Sequence, residues 1–320
     1  MKAEILRLLR ETDGYVSGQE LCNQFGVSRT AVWKAINQLK EAGYEIEAVQ
    51  NKGYHLVSVP DRMDEVELAS IRKTEWAGAE TYYFDKIDST NTKAKELAEE
   101  GHPSGTFVVA DQQTAGKGRR GRSWDSLPGT GIYMTLMLKP DINPNHASML
   151  TLVTAMAVAN AMHRVTGAEA LIKWPNDIYW KEKKICGMLI ENDLMGRNIS
   201  QSIIGIGINI NQEIFHSSAP NPVSLLQITE EEHDLFEILK NIMLRIQSYY
   251  SLLKKGDTTS IACQYEKSLF RREGMHRYKD ANGEFLARIV CVEPEGRLIL
   301  EDEMLMKRDY MFKEVEYLLK

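Results

Sequence analysis

Cysteine is scarce and scattered: Cys22, Cys186, Cys263 and Cys291 are the only four in 320 residues, and none forms a Cys-x-x-Cys pair. That spacing excludes zinc ribbons and a disulfide-built scaffold and fits a reducing, cytoplasmic setting. No apolar run approaches the ~18 residues of a membrane span. Met1 leads directly into a charged amphipathic stretch, without the apolar core of a signal peptide. Positive charge is not in excess either. Lys+Arg number 39 against 45 Asp+Glu, a formal net charge of -6, which argues against a protein that coats nucleic acid. What is present is ordinary globular composition, 43% hydrophobic and 26% charged, so a disordered or collagenous chain is excluded. At roughly 150 residues per domain the length predicts about two domains, or three if one is small.

The first sixty residues read as a separate module. Ile5, Leu6, Leu8 and Leu9 recur at helical spacing, with Arg7 and Arg10 outside the stripe. Asp13-Gly14 breaks that helix. Ser17-Gly18-Gln19-Glu20 has the form of a capping box, in which Ser17 caps a backbone N–H and Glu20 reaches back. Leu21 and Phe25 make a short second helix that Gly26 ends. Ser28 caps a third, with Val32, Ile36 and Leu39 turned inward and Gly43 closing it. Two helices across a tight glycine turn are the helix-turn-helix pattern, and the hairpin about Asn51-Lys52-Gly53 adds a wing.

From Ser28 to Lys40 there are three cations, Arg29, Lys34 and Lys40, and no acid. Ser17, Ser28, Arg29, Thr30, Trp33, Lys34, Asn37 and Gln38 are the candidates for phosphate and base-edge contacts, with Lys52 at the wing tip. The alternative is a protein-interaction module with a solvated polar face. Residues 1–60 carry seven basic and seven acidic side chains, so the whole deficit belongs to 61–320. A neutral module binds DNA weakly by itself, and a dimer on two half-sites compensates.

Beyond a linker, Thr81–Phe84, Thr106–Ala110, Ile132–Leu138, Leu171–Trp174, Ile178–Trp180, Ile185–Ile190 and Ser202–Ile210 read as strands. Helices are predicted through Ala94, Leu97 and Ala98, from Met149 to Val165 and from Asp234 to Leu253. Successive strands with irregularly placed helices predict an α+β fold with a mostly antiparallel or mixed sheet.

One loop carries the chemistry. Gly116-Lys117-Gly118-Arg119-Arg120-Gly121 matches Gly-x-Gly-x-x-Gly, and a strand precedes it. A dinucleotide fingerprint also needs a helix opening at the third glycine, and Pro128, Gly129 and Gly131 exclude one. No Gly-Lys-Ser/Thr is present, so this is not a Walker loop. Lys117, Arg119, Arg120 and Arg122 suit a polyanion, and Trp124 suits stacking on a purine. By itself the loop fits a solvated basic segment or a nucleic-acid patch equally well. Gly205-Ile206-Gly207-Ile208-Asn209 clears one face of a strand, as a flat ligand lying against the sheet requires.

Asp88-Ser89-Thr90-Asn91, Gln113, Gly116 to Trp124, Lys173-Trp174-Pro175-Asn176-Asp177, Lys184 before Gly187, and Gly205 to Asn209 stand in the order and spacing of biotin–protein ligases. With the winged helix-turn-helix in front, essentially the whole chain resembles the bifunctional biotin ligase/biotin operon repressor family of bacteria. Two departures stand out: Lys117 where the family often has Arg, and Lys313-Glu314-Val315 where it has Gly-Glu-Val. The resemblance implies a winged helix-turn-helix at 1–60, a linker at 61–75, a class II synthetase-like mixed sheet with helices at 76–270 and an SH3-like β-barrel at 271–320. It implies that ATP and biotin form biotinyl-5′-AMP, with Mg²⁺ held mostly by phosphates and water rather than by a protein metal site, and that biotin passes to a lysine of a biotin carboxyl carrier domain.

It further implies roles for individual residues. Lys184 and Arg119 are catalytic candidates, with Lys184 bridging the biotin carboxylate and the α-phosphate. Asp177 is either the general base for the incoming lysine or the cap of a turn. Biotin contacts are expected from Ser89, Thr90, Asn91, Gln113, Gly116, Lys117, Gly118, Arg119, Lys184, Gly187, Gly205 and Gly207. Nucleotide contacts are expected from Arg119, Arg120, Arg122, Trp124, Lys173, Asn176, Lys184 and Asn209. Operator DNA and a homodimer formed with adenylate bound are the other expected partners; no membrane is. Two rivals are a lipoate or octanoate ligase and a ligand-sensing repressor without catalysis.

Overall fold

The computed structural model describes residues 1–60, 63–118, 123–216, 221–293 and 295–319. The chain forms two compact units, Met1–Arg72 and Lys73–Lys320.

The first unit opens with helices α1 (Lys2–Glu11), α2 (Gly18–Phe25) and α3 (Arg29–Glu41). Their inward stripes meet in one core of Ile5, Leu6, Leu9, Leu21, Val32, Ile36 and Leu39, joined by Val16 and Tyr44. Ser17 Oγ accepts from Glu20 N–H and Ser28 Oγ from Ala31 N–H. The expected return bond from Glu20 is not formed among the described residues: this side chain is exposed to water, which satisfies it. Gly26 takes the left-handed conformation and bonds back to Cys22 O. Antiparallel strands β1 (Glu45–Val49) and β2 (Gly53–Ser58) make the wing. Gly53 has φ +119°, and a Cβ there would stand 2.1 Å from Val16 O, so the wing turn admits only glycine.

Within the segment read as linker, Glu65–Ile71 forms helix α4. Its Glu67 is 2% exposed. Arg10 Nη2 lies 2.5 Å from one carboxylate oxygen, and Tyr44 donates to the other at 3.0 Å. Burial and the Glu67 carboxylate push the Tyr44 phenol far up, so it remains a donor. Removing one member of such a buried pair costs ~3–5 kcal/mol, which ties α4 to α1.

The second unit contains β3 (Thr81–Ile87), α5 (Thr90–Glu99), β4 (Phe107–Gln113), β5 (Gly131–Leu138), α6 (Ala147–Thr166), β6 (Leu171–Lys173), β7 (Asp177–Trp180), β8 (Lys183–Met195) and β9 (Asn198–Asn209). Among the described residues these strands form one seven-stranded sheet in the order β3-β4-β5-β9-β8-β7-β6. Only β3–β4 is parallel, which makes the sheet mixed. Every residue of β5 is buried, so this strand lies wholly within the core. β8 and β9 run several residues beyond the predicted ends as a long hairpin, because backbone pairing continues through polar residues such as Asn192 and Asp193.

Helices α7 (Leu225–Thr229), α8 (Leu235–Lys254) and α9 (Thr258–Lys267) follow. The last strands are β10 (His276–Asp280), β11 (Gly283–Val292), β12 (Leu298–Asp302), β13 (Lys307–Tyr310) and β14 (Glu316–Tyr317). They form an antiparallel sheet in the order β13-β12-β11-β10-β14.

Candidate functional site

The strands bring the scattered motifs of the second unit onto one face of β8 and β9, where two kinds of surface adjoin. One is polar and uncharged. Ser89, Thr90 and Asn91, at the start of α5, are all buried. Ser89 occupies the N-cap position without a side-chain cap bond, and Asp88 accepts from Ser89 N–H at 2.7 Å. Gln113 Oε1 accepts the Thr90 N–H at 2.9 Å. The Thr135 hydroxyl, from the middle of β5, stands 2.8 Å from Thr90 Oγ1 and 2.7 Å from Asn91 Oδ1. Asn91 Nδ2 donates to Glu191 at 3.1 Å, and Lys95 pairs with Glu191 at 2.8 Å.

The glycines explain how the groups fit. A Cβ on Gly205 would stand 2.2 Å from Asn91 Oδ1, and one on Gly207 2.5 Å from the Trp124 ring. On Gly187, the cross-strand partner of Gly207, it would stand 2.8 Å from the same ring. The flat group seated on the bare sheet is thus the chain's own indole. Its Nε1 is buried with no hydrogen-bond partner among the described residues. Trp124 N–H bonds to Gly116 O at 2.9 Å, and Lys117 pairs with Ser123 across the base of the loop.

The other surface is cationic. Lys184 Nζ lies 5.6 Å from the Trp124 ring centroid and 2.8 Å from Asp177 Oδ1, its partner on the neighbouring strand. Asp177 therefore neutralises Lys184. Lys173 Nζ sits over the rings of Tyr179 and Tyr317, at 4.8 and 5.5 Å. Burial, above all, holds its ammonium below the usual lysine range, and nearby Lys184 adds to this while Asp177 opposes it. The Tyr179 phenol is pushed up to about 12, chiefly by burial and further by Asp177, so it accepts from Lys173 as a neutral group.

Each residue of 173–177 is held from outside. Trp174 Nε1 donates to Gly296 O at 3.1 Å, and its ring meets Phe312 edge-on. Tyr265 donates to Pro175 O at 3.0 Å. Asn176 donates Nδ2 to Met188 O, and Asn209 donates to Val223 O at 3.2 Å. Both asparagines thus spend N–H groups on backbone. Arg119, Arg120 and Arg122 lie outside the described residues. Among the described residues no group of His, Cys, Asp and Glu could hold a metal ion, and no helix is long and apolar enough to cross a membrane.

Sequence reasoning missed Thr135, Glu191 and Lys95. Thr135 left a signal, a lone polar residue inside an otherwise apolar strand. Glu191 left none, since it follows the glycine motif in a stretch whose polarity suggested a strand end.

In the first unit α3 exposes Ser28, Arg29, Thr30, Lys34 and Gln38 together with Trp33, whose indole is 56% exposed; Asn37 is half-buried beside them. Ser17 and Ser28 both act as caps, and Arg29 donates to Gln19 at 2.8 Å. Lys52 is exposed at the wing tip, with its ammonium 5.5 Å from the Tyr15 ring. A large aromatic left in water between cations on one helix face is a surface suited to a partner.

Comparison with known proteins bears on both units. Residues 83–209 match the model of the biotin/lipoate A/B protein ligase family, and residues 2–55 match a helix-turn-helix domain. The chain is 37% identical to the bifunctional ligase/repressor BirA of Bacillus spizizenii over 316 residues, 97% of each chain. It is 36% identical to the protein of that name from Bacillus subtilis, again over 97% of both. The biotin protein ligase of Aquifex aeolicus in complex with biotin and ATP superposes with a TM-score of 0.63 at 27% identity, covering 74% of this chain and 98% of that one.

Proposed function

The chain belongs to the biotin/lipoate A/B protein ligase family, in its bifunctional ligase/repressor branch, and on that premise we propose that it attaches biotin to a carrier protein using ATP and represses transcription at an operator with the reaction intermediate as corepressor. The observation that carries the reading is the adjacency of an uncharged hydrogen-bonding surface and a cationic one on a single sheet face. Biotin is built the same way, with a neutral ureido ring at one end and a carboxylate at the other.

In the first half-reaction a biotin carboxylate oxygen attacks the α-phosphorus of ATP. The bond from that phosphorus to the bridging oxygen of the β-phosphate breaks, giving biotinyl-5′-AMP and pyrophosphate. In the second, the neutral amine of a carrier lysine attacks the anhydride carbonyl, AMP leaves with the oxygen, and the nitrogen loses a proton. Two anions must meet in the first step, and a fixed cation at the meeting point is the main means of lowering the barrier. Lys184 is that cation: its ammonium exchanges Asp177 for the carboxylate and α-phosphate oxygens. Asp177, released, takes the proton from the carrier lysine. Its ion pair with Lys184 favours this role over that of a turn cap.

Ser89, Thr90, Asn91 and Gln113 receive the ureido ring, with Gly116 to Arg119 closing over biotin. Trp124 supplies the aromatic face for the nucleotide, its orphan N–H available to a ligand acceptor. Arg119, Arg120, Arg122 and Lys173 hold phosphates. Mg²⁺ enters with ATP as part of the substrate, and the side-chain oxygens of Asn176 and Asn209 would accept from its waters or bind it directly. The converging lysines fit a metal that arrives already carried by phosphates.

The decisive experiment incubates the protein with biotin, ATP and a biotin carboxyl carrier domain and weighs the carrier. A biotinyl mass increment is expected. Pyrophosphate release without carrier excludes the non-catalytic repressor, and an increment with lipoate or octanoate instead of biotin would overturn the reading. The exposed face of α3 reads operator DNA as one half of a homodimer that assembles with adenylate bound, in the cytoplasm. Sedimentation with and without biotin plus ATP checks the coupling, and equal association in both would refute it.

A further inference from the structure

The ligand-facing polarity of the uncharged surface has an identifiable origin. We propose that Glu191 is a positioning residue that fixes the direction of a buried hydrogen-bond chain and thereby makes the Thr90 hydroxyl an acceptor for a ligand N–H. The inference rests on the biotin reading and adds to it the residue that selects a donor over an acceptor at that point.

The direction of the chain follows from which atoms can only accept and from the shortest contacts. A carboxylate can only accept, so Asn91 must turn Nδ2 toward Glu191, at 3.1 Å. Asn91 Oδ1 then faces Thr135. Because Oδ1 can only accept, the single Thr135 proton goes to it, across 2.7 Å. The Thr135 oxygen is left to accept from Thr90 across 2.8 Å. The Thr90 proton has two inward acceptors, Thr135 Oγ1 at 2.8 Å and Gln113 Oε1 at 3.1 Å, and the shorter contact between the two hydroxyl oxygens takes it, so Thr90 turns lone pairs toward the ligand space. Gln113 Oε1 is meanwhile occupied by the Thr90 N–H, which leaves Gln113 Nε2 as the donor. The site thus offers an acceptor beside a donor, which matches the N–H and C=O of a cyclic urea.

Glu191 is kept ionised for this task. Burial opposes its charge, but hydrogen bonds from Lys95 and Asn91 outweigh burial and hold the carboxyl below its usual range. Gly205 leaves room for the Asn91 amide, since a Cβ there would stand 2.2 Å from its oxygen. Thr90, Asn91 and Thr135 are all buried, so water does not scramble the chain.

Calorimetric titration of the full chain with biotin tests the proposal. Glu191→Gln can donate as well as accept, which frees Asn91 to turn over and the chain to reverse. Its biotin affinity is expected to fall about tenfold to a hundredfold, the effect of one mismatched buried hydrogen bond. Asn91→Asp sets two carboxylates against each other and is expected to lose at least as much. The exchanged pair, Asn91→Asp with Glu191→Gln, again presents an acceptor-only group to Thr135 and is expected to recover affinity to within about threefold of the parent. A merely structural role for Glu191 predicts no such recovery.

Parent-like affinity in Glu191→Gln, or no recovery in a folded exchanged pair, overturns the proposal. If Glu191→Gln does not fold, Thr135→Val interrupts the same chain without changing charge, and unaltered affinity in that variant overturns the proposal as well. Failure of the parent to bind biotin would instead overturn the functional reading.

Discussion

The two surfaces of the site are finished to different degrees. At the uncharged one, Thr90, Asn91, Thr135 and Gln113 already bond to one another, and Glu191 with Lys95 closes the chain. At the cationic one, Lys184 leans on Asp177, Lys173 on two aromatic faces, and the Trp124 indole Nε1–H has no partner among the described residues. A neutral shape can be matched in advance at little cost, because hydrogen bonds inside the protein satisfy the groups that wait. Converging cations cannot wait uncompensated, so the chain supplies stand-ins that substrate anions displace.

The largest expected effect separates the two surfaces outright. Lys184→Ala should lower the rate of pyrophosphate release by about 10²–10³, while calorimetry finds a much smaller loss of biotin affinity, that of one carboxylate contact. A comparable loss in both measurements would break the distinction. Asp177→Asn should then divide the half-reactions. Transfer to the carrier is expected to fall about 10², and adenylate formation much less; an unchanged transfer rate returns Asp177 to a structural part.

The glycines give a paired test. Gly205→Ala drives a methyl into Asn91 and should weaken biotin, whereas Gly207→Ala drives one into Trp124 and should weaken ATP. Each effect is of order tenfold, given ~1–3 kcal/mol for overpacking. Equal effects of both variants on both ligands would mean that the surfaces are not separable.

The smallest effect is on pH. A lysine held below its usual range loses its charge earlier as pH rises. The KM for ATP should therefore climb on the alkaline side, by a few fold within the accessible range, and Lys173→Arg should flatten that limb because arginine stays charged.

How much of this was legible beforehand follows the same division. The helix stripes of the first unit, the strands of the sheet and the glycine motifs were readable because their periods and turn residues are local. α4 was not, because a short acidic helix has no reason to form until Arg10 reaches Glu67 from 57 residues away in sequence. α9 carried a signal in Ile261 and Tyr265 that the polar residues around them masked. At the site the motif residues were readable, but their use was not. The glycines were read as room for a ligand, whereas they seat Trp124 and Asn91. Asn176 and Asn209 read as contacts to the nucleotide, and their Nδ2 groups donate to the backbone. Long-range pairing decides such matters, and a pattern of residue types does not encode it.

The clasp on residues 173–177 also bears on genetics and handling. Trp174 is held by Gly296 and Phe312, and Lys173 lies under Tyr317, so residues 296–317 form a wall of the proposed nucleotide site. A frameshift downstream of Gly296 is therefore an active-site lesion in disguise. In a screen it should score with Lys184 substitutions rather than with tail truncations. An affinity tag belongs away from β14, and a library meant to retune nucleotide selectivity would do well to include positions 312 and 317.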